Sequence, residues 1–216
     1  AIGGKDSMSG SFGNLDVPPT LVAFAVGIEK AKNIISAEFK KVGSKLVLLM
    51  AEKNEDFTLK VNQYKRNLER LYELILEGKV ISASSVKFGG VAETISKMAF
   101  GNKIGVEFFN LSKEELFGLN YGTLVLEVNQ EVNINKEFKG CAYKAIGYTT
   151  EEETITSKDF DLNLKLNILE NAYEKNLSKV FKIKTNDKNE KVKEVLYKES
   201  NNKSPVIKIA KPKVII

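Results

Sequence analysis

The sequence contains no histidine and a single cysteine, Cys141. Histidine is the usual general base near neutral pH, so these residues alone cannot house a catalytic triad or histidine-based acid–base chemistry. One cysteine excludes an intrachain disulfide and a cysteine-rich zinc site, and it fits a reducing compartment. We therefore expect a cytoplasmic protein.

Arginine is also scarce, since Arg66 and Arg70 are the only two in the chain. The formal net charge of +5 therefore comes from lysine. Base readout and bidentate phosphate contacts favour arginine, and no basic run interleaved with aromatic residues is present. We expect the lysines to form a solvated surface, and we do not expect nucleic acid as a partner.

Long apolar runs are missing as well. Residues 46–51 form an apolar run that is far too short to cross a bilayer, and no basic-then-apolar signal segment opens the chain. We therefore expect no membrane partner. With 216 residues, of which 43% are apolar, the chain is long enough for one substantial core or two modest ones.

Strand and helix signals are mixed along the chain. Short apolar runs predict six strands, at residues 20–26, 45–50, 79–84, 103–109, 123–128 and 142–148. Predicted helices lie among them, and the two kinds of element do not alternate strictly. This order favours an α+β fold, in which a mixed sheet is layered with packed helices.

Two helices are predicted from the spacing of apolar residues in the first half of the chain. The first has apolar residues every three or four positions and ends at Gly78; its stripe consists of Tyr64, Leu68, Leu71, Tyr72 and Ile75. The second is a short helix over residues 91–99 that is closed by Gly101.

Two further helices are predicted in the second half. Ser112 and Glu115 have the spacing of a capping box for a helix that ends near Gly118. A last, long helix carries apolar residues on one side from Leu166 to Val180. Beyond it, residues 183–205 are polar and rich in lysine and asparagine, which is typical of a linker.

The opening stretch GGKDSMSG, residues 3–10, combines residue types that handle phosphate. Its glycines would let the backbone approach a ligand, Lys5 could neutralise an anion, and Asp6 could hold a divalent metal. In the alternative interpretation, Asp6 or Ser7 caps a helix after a glycine turn. The order of residues differs from that of a P-loop, so the residues alone leave both interpretations open.

The opening also carries a resemblance to a known family. GGKDSMSGSF, followed by VPPTLVAFAVG, closely resembles a segment of the large single-chain phosphoribosylformylglycinamidine synthases. That family typically shows G-K-D-S-M-S and then P-P-T-L, which residues 4–9 and 18–21 reproduce. Residues 24–49 are similar to the entry into the carboxyl-terminal domain of aminoimidazole ribonucleotide synthetases, and residues 211–216 resemble the first strand of a glutaminase domain.

The resemblance implies a ligase of purine biosynthesis. Enzymes of this family use ATP to activate the amide oxygen of formylglycinamide ribonucleotide, a small-molecule substrate, and replace it with ammonia from glutamine. The chain would be a piece of such an enzyme, inactive alone, with ATP and Mg²⁺ as cofactors. Its partners would be the preceding synthetase domains and the glutaminase domain of the same chain.

The resemblance also implies a division of the chain and a fold of the aminoimidazole ribonucleotide synthetase C-terminal type. In order, the expected parts are the end of the preceding ATPase-type domain, the synthetase C-terminal-like domain, a linker and a first glutaminase strand, at residues 1–34, 35–182, 183–205 and 206–216.

The site residues are likewise implied by the family. The loop that matches Gly4, Lys5, Asp6 and Ser7 faces the active site in the family and contacts nucleotide, metal and substrate phosphate. By this resemblance, Lys5 would neutralise phosphate, Asp6 would be the metal ligand, and Ser7 would bond to the substrate. No catalytic residue is expected within the chain, because the catalytic histidine of the family lies in an earlier domain.

At a second site the sequence departs from the family. Many members carry D-R-S-D-G-G before the short helix, and its first aspartate and serine hold a metal-bound auxiliary nucleotide. Here the residues run SSVKFGG, with Ser85 in place of the aspartate and Lys87 in place of the serine. We expect a structural turn, with an anion bound by Lys87 and the amides of Gly89 and Gly90 as the alternative.

Cys141 precedes a predicted strand and has no histidine partner. We therefore expect a buried structural thiol and not a glutaminase nucleophile. Two other functions stay open for the chain as a whole. It could be a non-catalytic module that docks the glutaminase and shapes an ammonia path, or a fragment of another ATP-dependent synthetase, such as a selenophosphate or thiamine-phosphate enzyme.

Overall fold

The structure is a computed structural model that describes residues 10–18 and 22–183. The chain divides into two compact units, residues 1–176 and residues 177–216. In the described part of the second unit, the amides of Val180 and Phe181 both donate to the carbonyl of Leu177, which makes a turn. The strand expected at 206–216 lies outside the described residues, as does the linker from residue 184 on.

The first unit contains a small hairpin and a large sheet. Strands β1 (Gly10–Phe12) and β2 (Leu15–Val17) pair with each other. The seven strands of the large sheet are β3 (Lys45–Leu49), β4 (Val80–Ser85), β5 (Gly105–Phe108), β6 (Leu124–Val128), β7 (Tyr143–Thr150), β8 (Thr154–Ser157) and β9 (Asn163–Lys165). Their order across the sheet is β4-β6-β3-β7-β5-β8-β9. Neighbours are antiparallel except β5 and β8, so the sheet is mixed.

Helices cover both faces of this sheet. They are α1 (Val61–Leu76), α2 (Gly90–Asn102), α3 (Lys113–Phe117), α4 (Ile134–Glu137) and α5 (Leu166–Lys175). Apolar side chains of α2, α3 and α5 form one core cluster with the sheet, and those of α1 and α4 belong to a second. The predicted α+β class, with a mixed sheet and packed helices, is confirmed.

Strand β3 shows why an unbroken apolar run marks the centre of the sheet. Leu46 and Leu48 belong to the cluster with α2, whereas Val47 and Leu49 belong to the cluster with α1. Successive side chains of a strand point to opposite faces, so a strand that is covered on both sides needs apolar residues at every position.

The strand predicted at residues 20–26 is wrong over its described part. Residues 22–30 form neither a helix nor a strand, and all of them are exposed. A strand is defined by pairing, and within the described part of the chain no strand pairs with these residues. Residues 20 and 21 lie outside the described residues.

The predicted helix before Gly78 is confirmed, and its buried face matches the predicted stripe in part, since Leu71 is buried as predicted. Asn67, Leu71 and Leu74 are buried, whereas Leu68 and Tyr72 are exposed. The buried positions follow i, i+4 and i+7, and two of them, Asn67 and Leu74, lie one position before predicted residues. The polar Asn67 belongs to this face because its side chain bonds to the carbonyl of Met50 and the amide of Ala142.

Two predicted helix ends also differ from the structure. Gly101 lies inside α2, which ends at Asn102 because Lys103 takes the left-handed conformation, with φ of 56°. A Cβ at Gly101 would lie 2.5 Å from the side chain of Glu38, so close packing accounts for this glycine. Helix α5 ends at Lys175 and not at residue 180, since residues 176–180 form turns.

The capping box predicted for α3 is confirmed. The hydroxyl of Ser112 accepts a hydrogen bond from the amide of Glu115 at 3.1 Å, and the carboxylate of Glu115 accepts one from the amide of Ser112 at 2.9 Å. The helix ends at Phe117, and Gly118 is its C-cap.

Candidate functional site

The predicted active-site loop lies outside the described residues. Gly4, Lys5, Asp6 and Ser7 all fall within residues 1–9, so their roles, including Asp6 as a metal ligand, stay predictions. In the described ranges 10–18 and 22–183, no group of three or more histidine, cysteine, aspartate or glutamate side chains is placed to hold a metal ion. No helix in those ranges is long and apolar enough to cross a membrane.

The second predicted site, the turn between β4 and α2, is described in full. Strand β4 ends at Ser85, and the chain turns through Lys87 and Phe88 into the helix. The side chains of all three residues are exposed. The amide of Gly90 donates to the carbonyl of Lys87, with an N–O distance of 3.0 Å, so one of the two glycine amides is used to close the turn.

Glu93, in the first turn of α2, uses the other glycine amide. Its Oε2 accepts a hydrogen bond from the amide of Gly89 at 2.8 Å, and its Oε1 lies 2.6 Å from Nζ of Lys97. The ammonium of Lys97, followed by the Gly89 amide, holds the pKa of Glu93 below its usual value. Both amides needed by the anion alternative are therefore bonded within the chain, and the geometry supports a structural turn.

The space beside the turn is also small. A cavity of about 50 Å³ lies there, lined by Ser84, Ser85, Lys87, Glu93, Thr94 and Lys97. Pockets that enclose nucleotide-sized ligands measure roughly 300–1,000 Å³. In this conformation the cavity beside the turn therefore does not enclose an adenine nucleotide.

We accordingly expect protein purified under native conditions to carry no nucleotide at this turn. Acid denaturation followed by chromatographic quantification of released adenine nucleotide tests this, alongside a Ser85→Asp variant that places a carboxylate at this position. Magnesium prefers carboxylate ligands to a hydroxyl, but Ser85→Asp leaves the two glycine amides occupied, so both proteins should release only traces. One equivalent of nucleotide from the unmodified protein would show that the turn opens to bind it.

Glu93 was not among the residues predicted for this site. Its signal was local, because Glu93 follows the glycine pair directly in the first turn and stands four residues before Lys97. A carboxylate in the first turn of a helix is stabilised by the free amides there, and a Glu–Lys pair with this spacing lies on one helix face. The side chain therefore supplies from within the chain the negative charge that a bound anion would bring.

Replacing Glu93 by glutamine should lower the free energy of unfolding at pH 7 by about 1 kcal/mol, the usual contribution of one capping interaction. Because the pKa of Glu93 is lowered in the folded state, its carboxylate stabilises the fold above the unfolded pKa. That contribution disappears as the pH falls through the lowered folded pKa. Urea unfolding at pH 7 and at the lowest pH that keeps both proteins folded measures the difference.

A matched control for this substitution is Glu69→Gln. Glu69 forms an exposed pair with Lys65 on α1, with 3.8 Å between Oε1 and Nζ and no cap to support. Exposed pairs of this kind contribute little, so the control should change the unfolding midpoint by much less. Equal effects of the two substitutions would show that the bond to the Gly89 amide does not stabilise α2.

Cys141 lies against the core cluster on the α1 face, but it is half-buried and not fully buried as predicted. It stands at the end of a turn before β7, which leaves one side open. Burial is the main cause that raises the pKa of its thiol. A raised pKa keeps the group protonated at neutral pH, and this protonation agrees with a structural thiol and not with a nucleophile.

An ionic network that the sequence analysis did not identify joins α1 to α4. Nε of Arg70 donates to the carbonyl of Glu137 at 2.8 Å, and its guanidinium also contacts the carboxylates of Glu73 and Glu137. Nζ of Lys79 lies 2.9 Å from the carboxylate of Glu137 and is the main cause of that group's lowered pKa. Each of these charges has a partner of opposite sign, so the network holds the two helices together.

A larger, mainly apolar cavity of about 420 Å³ lies between α2, α3 and the β8–β9 region. Phe108 and Leu116 are among the apolar side chains that line it, and Glu93 lies on its α2 side. The carboxylate of Glu93 is already bonded to Lys97 and to the Gly89 amide. The cavity has the size of a ligand pocket, but its charged lining residues are one cation, Lys113, and two anions, Glu93 and Asp161, which does not favour a nucleotide phosphate.

Solved structures with a similar fold are known. No protein-family model matches the chain. The PurLQS structure from Thermotoga maritima is similar with a TM-score of 0.55 and 12% identity, covering 65% of this chain and 28% of that chain. PurL from T. maritima in complex with FGAR is similar with a TM-score of 0.52 and 11% identity, covering 64% of this chain and 30% of that chain.

A third similar structure is HypE from E. coli, a hydrogenase maturation protein. Its TM-score is 0.44 at 16% identity, and the match covers 62% of this chain and 52% of that chain. The PurL matches show the fold alone: the mixed sheet with packed helices that is described above resembles a part of the PurL structures. The chain spans less than a third of the length of the PurL chains that it matches.

Proposed function

We propose that the chain is part of a phosphoribosylformylglycinamidine synthase. This ligase uses ATP and glutamine-derived ammonia to convert formylglycinamide ribonucleotide to the amidine. The observation that carries the proposal is the coincidence of two features, the PurL-type fold of the described domain and the G-K-D-S-M-S loop at residues 4–9. PurL of T. maritima has itself been solved with FGAR and with ATP.

Within that enzyme, the described domain acts as a scaffold. The glycine turn before α2 is closed by the carboxylate of Glu93, which accepts a hydrogen bond from the Gly89 amide. The charges of the Arg70 network are paired with each other. The chemistry is therefore assigned to the loop that precedes the domain, in which Gly4 allows close approach. Lys5 neutralises phosphate, Asp6 binds metal and Ser7 bonds to substrate. The chain alone has no synthetase activity in this proposal.

The residue types of the loop fit ATP and Mg²⁺ as its ligands. Magnesium is commonly bound by one or two carboxylates together with phosphate oxygens and water, so a single aspartate is a sufficient contribution from this loop. When bound, the metal would neutralise charge on the phosphates of ATP. Lys5 carries a compact positive charge, which would also neutralise charge on the phosphates.

The test is Asp6→Asn in the longer enzyme. Loss of one group that acts on transition-state charge costs about 3 kcal/mol, so the ammonia-dependent rate should fall about 100-fold. Ser7→Ala should act in the same direction. Glutaminase turnover, measured uncoupled from the synthetase reaction, should be unchanged, because the loop does not contact that chemistry.

The matched control is Glu55→Gln, which removes one exposed carboxylate from a loop before α1. It should leave both reactions at the rate of the unmodified enzyme. Wild-type rates for Asp6→Asn and Ser7→Ala would contradict the proposal and would favour the alternative interpretation, in which Asp6 or Ser7 caps a helix. Equal losses from all three substitutions would point to a general loss of stability.

A further inference from the structure

The apolar cavity between α2, α3 and the β8–β9 region has no part in the proposed ligase chemistry. Its volume is about 420 Å³. The side chains that line it and belong to the core cluster of α2, fully or partly buried, are Ile95, Phe108, Leu116, Ile155, Phe160, Leu162 and Leu169. Protein cores leave few voids larger than a water molecule, so an apolar opening of this size is typical of a binding site.

The rim of the cavity is apolar as well. Phe117 and Leu164 line it although their side chains are 65% and 38% exposed. Within the lining, the rings of Phe108 and Phe160 meet edge to face, with centroids 5.6 Å apart. A cavity of roughly 300–1,000 Å³ with apolar and aromatic walls fits a small molecule that has an apolar part.

Two of the polar side chains in the lining already have partners inside the protein. The carboxylate of Glu93 is bonded to Lys97 and to the Gly89 amide, and the hydroxyl of Ser96 donates to the carbonyl of Ala92 at 2.8 Å. Neither Glu93 nor Ser96 therefore needs a partner from a ligand.

The other two charged residues of the lining are Lys113, at the start of α3, and Asp161, in the loop between β8 and β9. Both are exposed. Within the part of the chain that the structure describes, neither charged group makes a hydrogen bond or an ion pair with another side chain. A ligand that uses both must carry an anionic and a cationic group beside its apolar part, since charged hydrogen bonds are the strong ones.

We propose that this cavity binds a free amino acid with a large apolar side chain. The side chain fills the cavity, the carboxylate pairs with Lys113, and the ammonium group pairs with Asp161. A residue inside a peptide would supply the side chain but neither charge, so a free amino acid complements the lining better than a protein partner does. All lining residues belong to the described domain, so the proposal does not depend on the ligase assignment.

Isothermal titration calorimetry on the 216-residue chain, with L-phenylalanine as the probe, tests the binding. We expect a dissociation constant of about 1 mM or below. Glycine has both charges but no side chain, and N-acetylphenylalaninamide has the side chain but neither charge, so both should bind about tenfold more weakly or not at all. Equal binding of the capped compound would assign the cavity to a side chain of a protein partner and overturn the proposal. Absence of L-phenylalanine binding at about 10 mM would overturn it too.

The two charges can be tested one at a time. Lys113→Met should weaken binding of L-phenylalanine about fivefold and leave binding of phenethylamine, which has no carboxylate, unchanged. Asp161→Asn should weaken L-phenylalanine to a similar extent and leave phenylpropionate, which has no ammonium group, unchanged. Lys139→Met is the control, because Lys139 is exposed and does not line the cavity. Equal affinities of Lys113→Met, Asp161→Asn and this control for L-phenylalanine would overturn the assigned contacts.

A larger side chain inside the cavity tests the location. Ser96→Phe places a ring in the space that the ligand would fill, so binding of L-phenylalanine should be lost. The far-UV circular dichroism spectrum should stay that of the unmodified chain, because Ser96 bonds only to a carbonyl of its own helix in the described structure. Unchanged affinity in this variant would place the ligand elsewhere and contradict the proposal. If the variant loses its spectrum, the two charge substitutions on the exposed rim decide the question.

Discussion

Replacing Glu127 by alanine should lower the free energy of unfolding by about 4 kcal/mol. Glu127 is fully buried in strand β6, the neighbour of the edge strand β4. Its Oε2 accepts a hydrogen bond from the amide of Lys40 at 2.8 Å, and its Oε1 accepts one from the amide of Lys41 at 3.0 Å. Alanine would leave both amides without their acceptor at a partly buried position, and each such group costs about 1–3 kcal/mol. The midpoint of urea unfolding, at an unchanged slope, measures the loss.

Glutamine at the same position separates the hydrogen bonds from side-chain volume. Glu127→Gln keeps one acceptor oxygen but turns an NH₂ donor towards the second amide, so it should cost about half as much as alanine. Glu131→Gln is the control, because Glu131 is exposed and should contribute less than about 0.5 kcal/mol. An unfolding midpoint for Glu127→Gln equal to that of the control would show that the two amides find other partners.

The sequence could not have predicted the partners of Glu127. The run TLVLEV predicts a strand, and alternation places Val125 and Glu127 on the same face, but the two amides lie 86 and 87 residues away in the chain. A glutamate in an apolar strand is buried only when something neutralises or bonds to it. That partner depends on how residues 39–44 cross the end of the sheet, and no local pattern encodes the crossing.

Features that depend on neighbouring residues in the sequence were predicted correctly. The capping box of Ser112 and Glu115 spans three residues and is present as expected. Strand β3 was found because burial on both faces requires an unbroken apolar run. Strands β8 and β9 were missed because they are short and carry polar residues, and they exist only through pairing at one side of the sheet.

The strand predicted over residues 22–26 was wrong because a local pattern cannot show whether a pairing partner is present. The segment has the composition and alternation of a strand, but a strand also needs a neighbour, and the described residues provide none. The candidate turn shows a similar limit. The glycine pair predicted a turn, but only the structure shows that Glu93 and the Lys87 carbonyl use its two amides.

The second large effect is expected at Gly90, where Gly90→Ala should lower the free energy of unfolding by about 4 kcal/mol. Gly90 has φ of +71°, a left-handed conformation that costs a residue with a side chain about 1–2 kcal/mol. A Cβ there would also lie 2.6 Å from the carbonyl oxygen of Leu116 and 3.0 Å from Cα of Phe117. These are backbone atoms of α3, so α2 and α3 would have to separate, and overpacking of this kind costs about 1–3 kcal/mol.

Gly78→Ala isolates the conformational part of this cost. Gly78 has φ of +68°, nearly the same as Gly90, but a Cβ at Gly78 would meet no atom within 4 Å. The control should therefore lose only the left-handed cost of about 1–2 kcal/mol, and the difference between the two variants measures the contact of α2 with α3. Equal losses in urea unfolding would show that α3 moves aside freely. In that case the second glycine of SSVKFGG would be required by the turn alone, and its close packing against α3 would contribute nothing.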